Sequence, residues 1–237
     1  MRKLLSLCLV LLLTGNISQA QIRLGLKVAP QITWAASDNK NTSSNGTRIN
    51  MAYGLMVDYY FAENYAVGTE LCMNTFGANV NLAKDKYTMV EYQGVMHPSI
   101  GALQYDYKLQ YIQIPVLLKM RTGLQNRMRY YAEFGFGLGF IYRSKADITF
   151  GSKSLSNVDV NEPDPSDVYT IHTTNFKDDI SSVRSSMIIG AGIHYELGTS
   201  SSLVLGLRYD NGLSSSMVDE RWRTTLHYIG LNLGLIF

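Results

Sequence analysis

His97, His172, His194 and His227 are the side chains of this sequence best suited to general-base chemistry. His194 stands two residues before Glu196, so a strand would put base and carboxylate on one face. With a serine hydroxyl in reach, such a pair performs acyl transfer. Serines occur at Ser185, Ser186 and Ser214 to Ser216. The chain has no Gly-x-Ser-x-Gly, no His-Glu-x-x-His and no phosphate loop. His97 and His172 fall in segments expected to be long loops, and His227 falls on an outer strand face near a strand start. All four read as buried, interfacial or solvated polar residues, so no catalytic residue and no cofactor is expected. Metal binding is not expected either, because Cys72 and scattered histidines supply no ligand spacing. Asn161-Glu162-Pro163-Asp164-Pro165-Ser166-Asp167 has oxygen ligands for calcium but no EF-hand pattern, and reads as a surface loop.

A second set of polar residues is charged and patterned. Arg23, Lys27, Lys119, Arg143 and Arg208, with Asp58, Glu70, Glu133, Glu196 and Asp210, fall on the face opposite the apolar one in alternating runs. Five basic and five acidic side chains on one face suggest a lumen charge network, because Arg or Lys facing lipid at mid-membrane costs about 2–4 kcal/mol.

The elements that would position these charges are strands. Counting back by twos from Phe237 gives Leu235, Leu233, Leu231 and Ile229, while Ile236, Gly234, Asn232, Gly230 and Tyr228 share the other face. The same period-two pattern runs near 22–29, 49–60, 65–74, 111–119, 130–143, 187–196 and 203–210. Short connections at 62–64, 121–127 and 197–200 alternate with longer ones at 36–47, 83–102, 146–180 and 211–222. Eight strands with strictly alternating turns and loops predict an all-β fold, an eight-stranded antiparallel up-and-down transmembrane β-barrel. An interior that narrow is filled by side chains, so ion pairs rather than a pore are expected inside. Glycines recurring on that face would relieve crowding. Tyr59, Tyr60, Phe61 and Tyr65 at one end, and Tyr142, Tyr209 and Trp222 at the other, read as interfacial girdles. Pro115, lacking an N–H, is expected at a bulge or bend.

The termini and bulk properties agree. Met1-Arg2-Lys3, the apolar run Leu4 to Leu13 and Ser18-Gln19-Ala20 form a three-part secretory signal over residues 1–20, leaving 21–237 as the barrel domain. The run is too short to cross a bilayer as a helix, which needs about 20 residues. Cys8 leaves with the signal, so no internal disulfide is expected. Losing Arg2 and Lys3 from 21 basic residues leaves 19 against 19 acidic ones. A neutral chain gives no case for nucleic-acid binding. Mean hydropathy of −0.03 suits a barrel as well as a soluble protein, because the two faces average out.

Tyr111-Ile112-Gln113-Ile114-Pro115-Val116-Leu117-Leu118-Lys119, followed by Glu133-Phe134-Gly135-Phe136-Gly137-Leu138-Gly139, resembles the PorT-like outer-membrane β-barrel family of Bacteroidetes. Leu24-Gly25-Leu26-Lys27 and the terminal Phe237 extend the resemblance over the whole mature chain. It implies a small outer-membrane barrel, and its named member is associated with type IX protein export. It carries no catalytic residues over. Ile229, Leu231, Leu233, Leu235 and Phe237 also resemble the signal read by the barrel-assembly machinery. Expected partners are therefore outer-membrane lipid, that machinery and secretion-system proteins, with the chain a monomer. A lipid-modifying enzyme, a narrow porin-like channel and a soluble lipocalin-like barrel with its faces inverted are the competing readings.

Overall fold

A strand in hydrocarbon must pair along both edges, because an unpaired row of N–H and C=O groups has no water to bond. The computed structural model meets that demand by closing the sheet on itself. It describes residues 21–37, 42–44, 46–82, 88–92, 95–99, 104–151, 168–173, 180–198, 201–218 and 223–237. The expected signal segment 1–20, the acidic residues 161–167 and Trp222 lie outside the described residues, as do the side chains of His97 and His172.

The barrel strands are β1 (Gln21–Ser37), β3 (Arg48–Ala62), β4 (Tyr65–Leu82), β7 (Gln104–Arg121), β8 (Met128–Gly151), β10 (Val183–Glu196), β11 (Ser202–Gly212) and β12 (Thr224–Ile236). They follow one another around the ring in chain order, all antiparallel, and β1 closes on β12 with Leu26 opposite Leu235. Phe237 and Leu24 exchange two backbone hydrogen bonds, of 2.9 and 3.2 Å, at that seam. β2 (Thr42–Ser44) extends the edge at β4, β9 (Val168–Thr173) pairs with the far end of β8, and β5 (Thr88–Tyr92) with β6 (Val95–Ser99) forms a separate hairpin. No helix occurs among the described residues.

The apolar face points outward. Leu205, Leu207, Phe136, Val116 and Leu26 are exposed, while Lys27, Glu70, Arg208 and Asp210 are buried inside. That orientation removes the inverted, lipocalin-like reading, which needs an apolar interior.

Several sequence expectations require correction. The barrel strands run from 11 to 24 residues, all but β11 longer than the 9–11 that spanning needs, and β4, β7 and β8 continue furthest past the apolar band toward the long loops. Segments 83–102 and 146–180 accordingly contain strands as well as loop. Arg143 is not in the lumen. The β7–β8 register shifts between Gln110 and Tyr111, where Gln110 pairs with Arg143 and Tyr111 with Ile141. The extra residue turns β8 over by one position, so Ser144 and Ala146 point in and Arg143 points out. Pro115 makes no bulge: Thr69 opposite Val116 and Cys72 opposite Gln113 keep one register across it. Tyr60 is not in the girdle. It is 5% exposed, inside the mouth of the barrel.

Candidate functional site

Among the described residues the lumen gathers the buried polar groups, organised in layers from the turn end to the loop end. At the turn-end mouth, the Arg121 guanidinium carbon lies 3.9 Å from the centre of the Tyr60 ring, and that of Arg23 lies 5.6 Å from it. Arg129 Nε donates to Glu196 Oε1 at 2.9 Å. Glu196 is thus engaged by an arginine rather than by His194.

The next layer lies within the membrane span. Arg208 donates from Nη1 and Nη2 to the two oxygens of Glu70, each at 2.8 Å, and from Nε to Glu133 Oε1 at 2.7 Å. Lys27 Nζ meets Glu70 Oε2 at 2.7 Å, and Lys119 Nζ meets Asp58 Oδ1 at 2.7 Å. Three acids and three bases from six strands form one buried set. Charges this deep are tolerable only when paired and hydrogen-bonded.

Above it, Arg184 Nη2 donates to Asp210 Oδ1 and, at 2.7 Å, to the carbonyl of Leu226. Ser186 Oγ and Gln113 Nε2 donate to Asp210 Oδ2 at 3.0 and 2.8 Å, and Asn74 bonds to Gln113. Adding Arg184 and Asp210 makes four buried cations against four buried anions, so the membrane-level lumen is neutral.

Glycines let these groups approach. A Cβ on Gly190 would meet Glu133 Oε1 at 2.6 Å, and one on Gly206 would meet the Tyr131 hydroxyl at 2.2 Å. Beside Lys27, Glu133, His194 and Arg208 the lumen leaves about 10 Å³ free to the centre of a water molecule, roughly the room one water needs. The loop-end layer is then sealed by an apolar cluster of Phe76, Tyr107, Leu109, Tyr111, Leu226 and Tyr228. Phe76 and Tyr111 meet edge to face at 5.7 Å, and the Arg184 guanidinium carbon stands 4.5 Å from the Phe76 ring centre.

Of the expected network, Lys27, Asp58, Glu70, Lys119, Glu133, Arg208 and Asp210 come together in the buried layers. Glu196 lies at the turn-end mouth, Arg23 is a half-buried neighbour of Tyr60, and Arg143 is outside. Arg184 and Arg129 were missed. Their signal was present, because counting back by twos from Ser186 and Tyr131 lands on them. Apolar alternation alone starts too late for Arg184, at Met187, whereas Met128 carries it past Arg129.

The histidines assemble no triad among the described residues. His194 is buried with its ring 4.6 Å from that of Tyr131, and no serine is hydrogen-bonded to it. His227 sits on the outer wall, bonded to Thr225 Oγ1 at 2.9 Å and stacked on Trp34 at 5.8 Å. Trp34 stacks in turn on Tyr209 at 6.2 Å, which makes an aromatic belt at the loop end. Phe61 and Tyr65, 6.3 Å apart, belong to the opposite belt. Ile229, Leu231, Leu233, Leu235 and Phe237 all face outward from β12 and the residue after it.

Among solved structures, Neisserial surface protein A is similar over 92% of this chain and 98% of its own, with 11% identity and a TM-score of 0.50. OprG from Pseudomonas aeruginosa covers 92% of this chain and 95% of its own at 12% identity and a TM-score of 0.43. Ail of Yersinia pestis covers 92% and 99% at 12% identity and 0.38. At these identities the likeness concerns fold alone. No curated protein sequence is a significant match. A closed antiparallel barrel with charges inside and a lipid-facing apolar wall is an outer-membrane architecture, and the model of the family described as outer membrane protein beta-barrel domain matches residues 16–218: the chain belongs to that family and resides in the outer membrane.

Proposed function

We propose that this barrel is a non-enzymatic outer-membrane protein whose lumen is a structural plug and whose work is done by contacts at its loop end. The observation that carries the reading is the neutral, solvent-starved lumen: eight paired buried charges, a void of one water, and an apolar seal above them. A filled, charge-paired interior favours a structural role for the lumen and leaves the surface to make the contacts. β4, β7 and β8 continue past the apolar band, and the β5–β6 hairpin lies between β4 and β7 in the chain. The affiliation with PorT-like barrels of Bacteroidetes, and with it an accessory role in protein export, belongs to this proposal and rests on the Tyr111–Lys119 resemblance. The chain acts as a monomer, needs no cofactor, and is delivered by the barrel-assembly machinery through its C-terminal strand.

Three measurements test this. In planar bilayers the reconstituted barrel is expected to show no conductance steps. Steady openings would replace the plug with a channel. In cells, removing residues 88–99 should preserve the heat-dependent gel shift of the barrel while abolishing its surface cross-links. Unchanged export in cells lacking the whole chain would remove the secretion role.

A further inference from the structure

The outer wall of β7 and β8, just past the lipid-facing band, carries an arrangement that folding by itself disfavours. Lys108 stands directly opposite Lys145 in the β7–β8 ladder. Like charges directly opposite destabilise a strand pair. Arg143, exposed by the bulge, lies opposite Gln110 one outward position nearer the membrane. Gly77 of β4 pairs with Lys108, and a Cβ there would meet Arg48 Cβ at 3.0 Å, so Arg48 of β3 lies over the same row. Four cations from three strands therefore share one stretch of wall.

Their order along the strands points to a ligand. Membrane-ward of the cations the outward residues are Ile112, Ile114, Leu138 and Phe140, the apolar band. Loop-ward of them come Asp106 and Asp147, again directly opposite each other, with Asp106 bonded to Arg48. Charges placed only to keep the wall wet would alternate in sign and neutralise across the ladder. Here they are sorted, with the bases against the membrane surface and the acids away from it. Among the described residues Lys108, Arg143 and Lys145 make no ion pair. Long loops face the cell exterior in such barrels, so this row stands at the headgroups of the outer leaflet.

We propose that Lys108, Arg143 and Lys145, flanked by Arg48, bind the phosphate groups of an outer-leaflet lipid. Arginine matches phosphate with a planar fork and lysine with a mobile point charge, and both have apolar stems that can lie along the lipid-facing wall. A phosphate between Lys108 and Lys145 converts their repulsion into a shared attraction.

The test is native mass spectrometry of the barrel, residues 21–237, in one detergent with diphosphorylated lipid A and with the same lipid dephosphorylated. The barrel is expected to retain the phosphorylated form with at least about tenfold preference, since each cation near an anionic surface contributes about fivefold. K108Q/R143Q/K145Q should lose that preference and keep the heat-dependent gel shift. If the triple variant fails to assemble, K108Q and R143Q separately should each lose a few-fold. D106N/D147N should bind as well or better. Inorganic phosphate at equal concentration should not displace the lipid. Equal retention by the triple variant, indifference to phosphorylation, weakened binding in D106N/D147N, or displacement by inorganic phosphate would each overturn the proposal.

Discussion

Along β7 the inside of the barrel passes from Lys119 and Gln113 to Tyr111, Leu109 and Tyr107, while the outside passes from Val116 and Ile114 to Lys108 and Asp106. β8 repeats the exchange, from Glu133 inside and Phe136 outside to Ala146 inside and Arg143 outside. The two halves of one barrel thus follow opposite burial rules, and the reason is the solvent around each. At membrane level the outside is hydrocarbon, so apolar side chains lose nothing by facing it, and charges withdraw to the lumen and pair there. Beyond the bilayer the outside is water, and burying Phe76, Tyr107 and Leu109 gains the hydrophobic stabilisation of an ordinary soluble core. The register shift at Gln110/Tyr111 adds the residue that turns β8 over, close to where the rule changes.

The contrast can be broken from either half. The largest effect is expected for Arg208→Met, which leaves Glu70 and Glu133 buried with one base fewer between them. Removing one partner of a buried pair costs about 3–5 kcal/mol. Urea unfolding in lipid vesicles should register it, and a loss below about 1 kcal/mol would mean the lumen is wetter than its packing indicates. Phe76→Ala should cost about 3 kcal/mol through a cavity in the loop-end core. If that substitution is neutral, the extension is not a packed core and the two halves do not differ as described. Gly206→Ala should cost about 2 kcal/mol by overpacking against the Tyr131 hydroxyl, and a smaller residue at 131 should restore the loss. Arg143→Gln should change stability by less than about 0.5 kcal/mol, as surface substitutions do, whereas Arg184→Gln should cost several-fold more. Equal effects for the two arginines would put Arg143 back in the lumen.

Much of the membrane half was legible in the sequence because one signal, strict alternation, served both faces at once. Leu203, Leu205 and Leu207 against Val204, Gly206 and Arg208 is enough to assign a spanning strand and a buried arginine. The same template failed at strand ends. Arg184 lies where the lipid-facing side passes from Met187 to Ser185, so a search led by apolar positions stops short of it, whereas Arg129 lies between Met128 and Tyr130, where the apolar alternation still runs. The loop-end extension was hidden for a related reason. There the apolar residues move to the inside, and past Ile141 the phase slips by one, so the pattern reads as if the strand had stopped.

Alternation along the strands, eight of them with sorted turns closing a barrel, and the side chains that share a face were all readable from residue order, because the period of a strand is a local property of the backbone. Residue order did not decide which charges meet. Arg208 and Glu70 are 138 residues apart and joined only when β4 and β11 face each other across the lumen. Nor did it decide where the inside stops being polar, since that depends on where the bilayer ends along strands longer than the bilayer is thick. Pairing across a closed ring and the position of the surrounding solvent are properties of the whole fold.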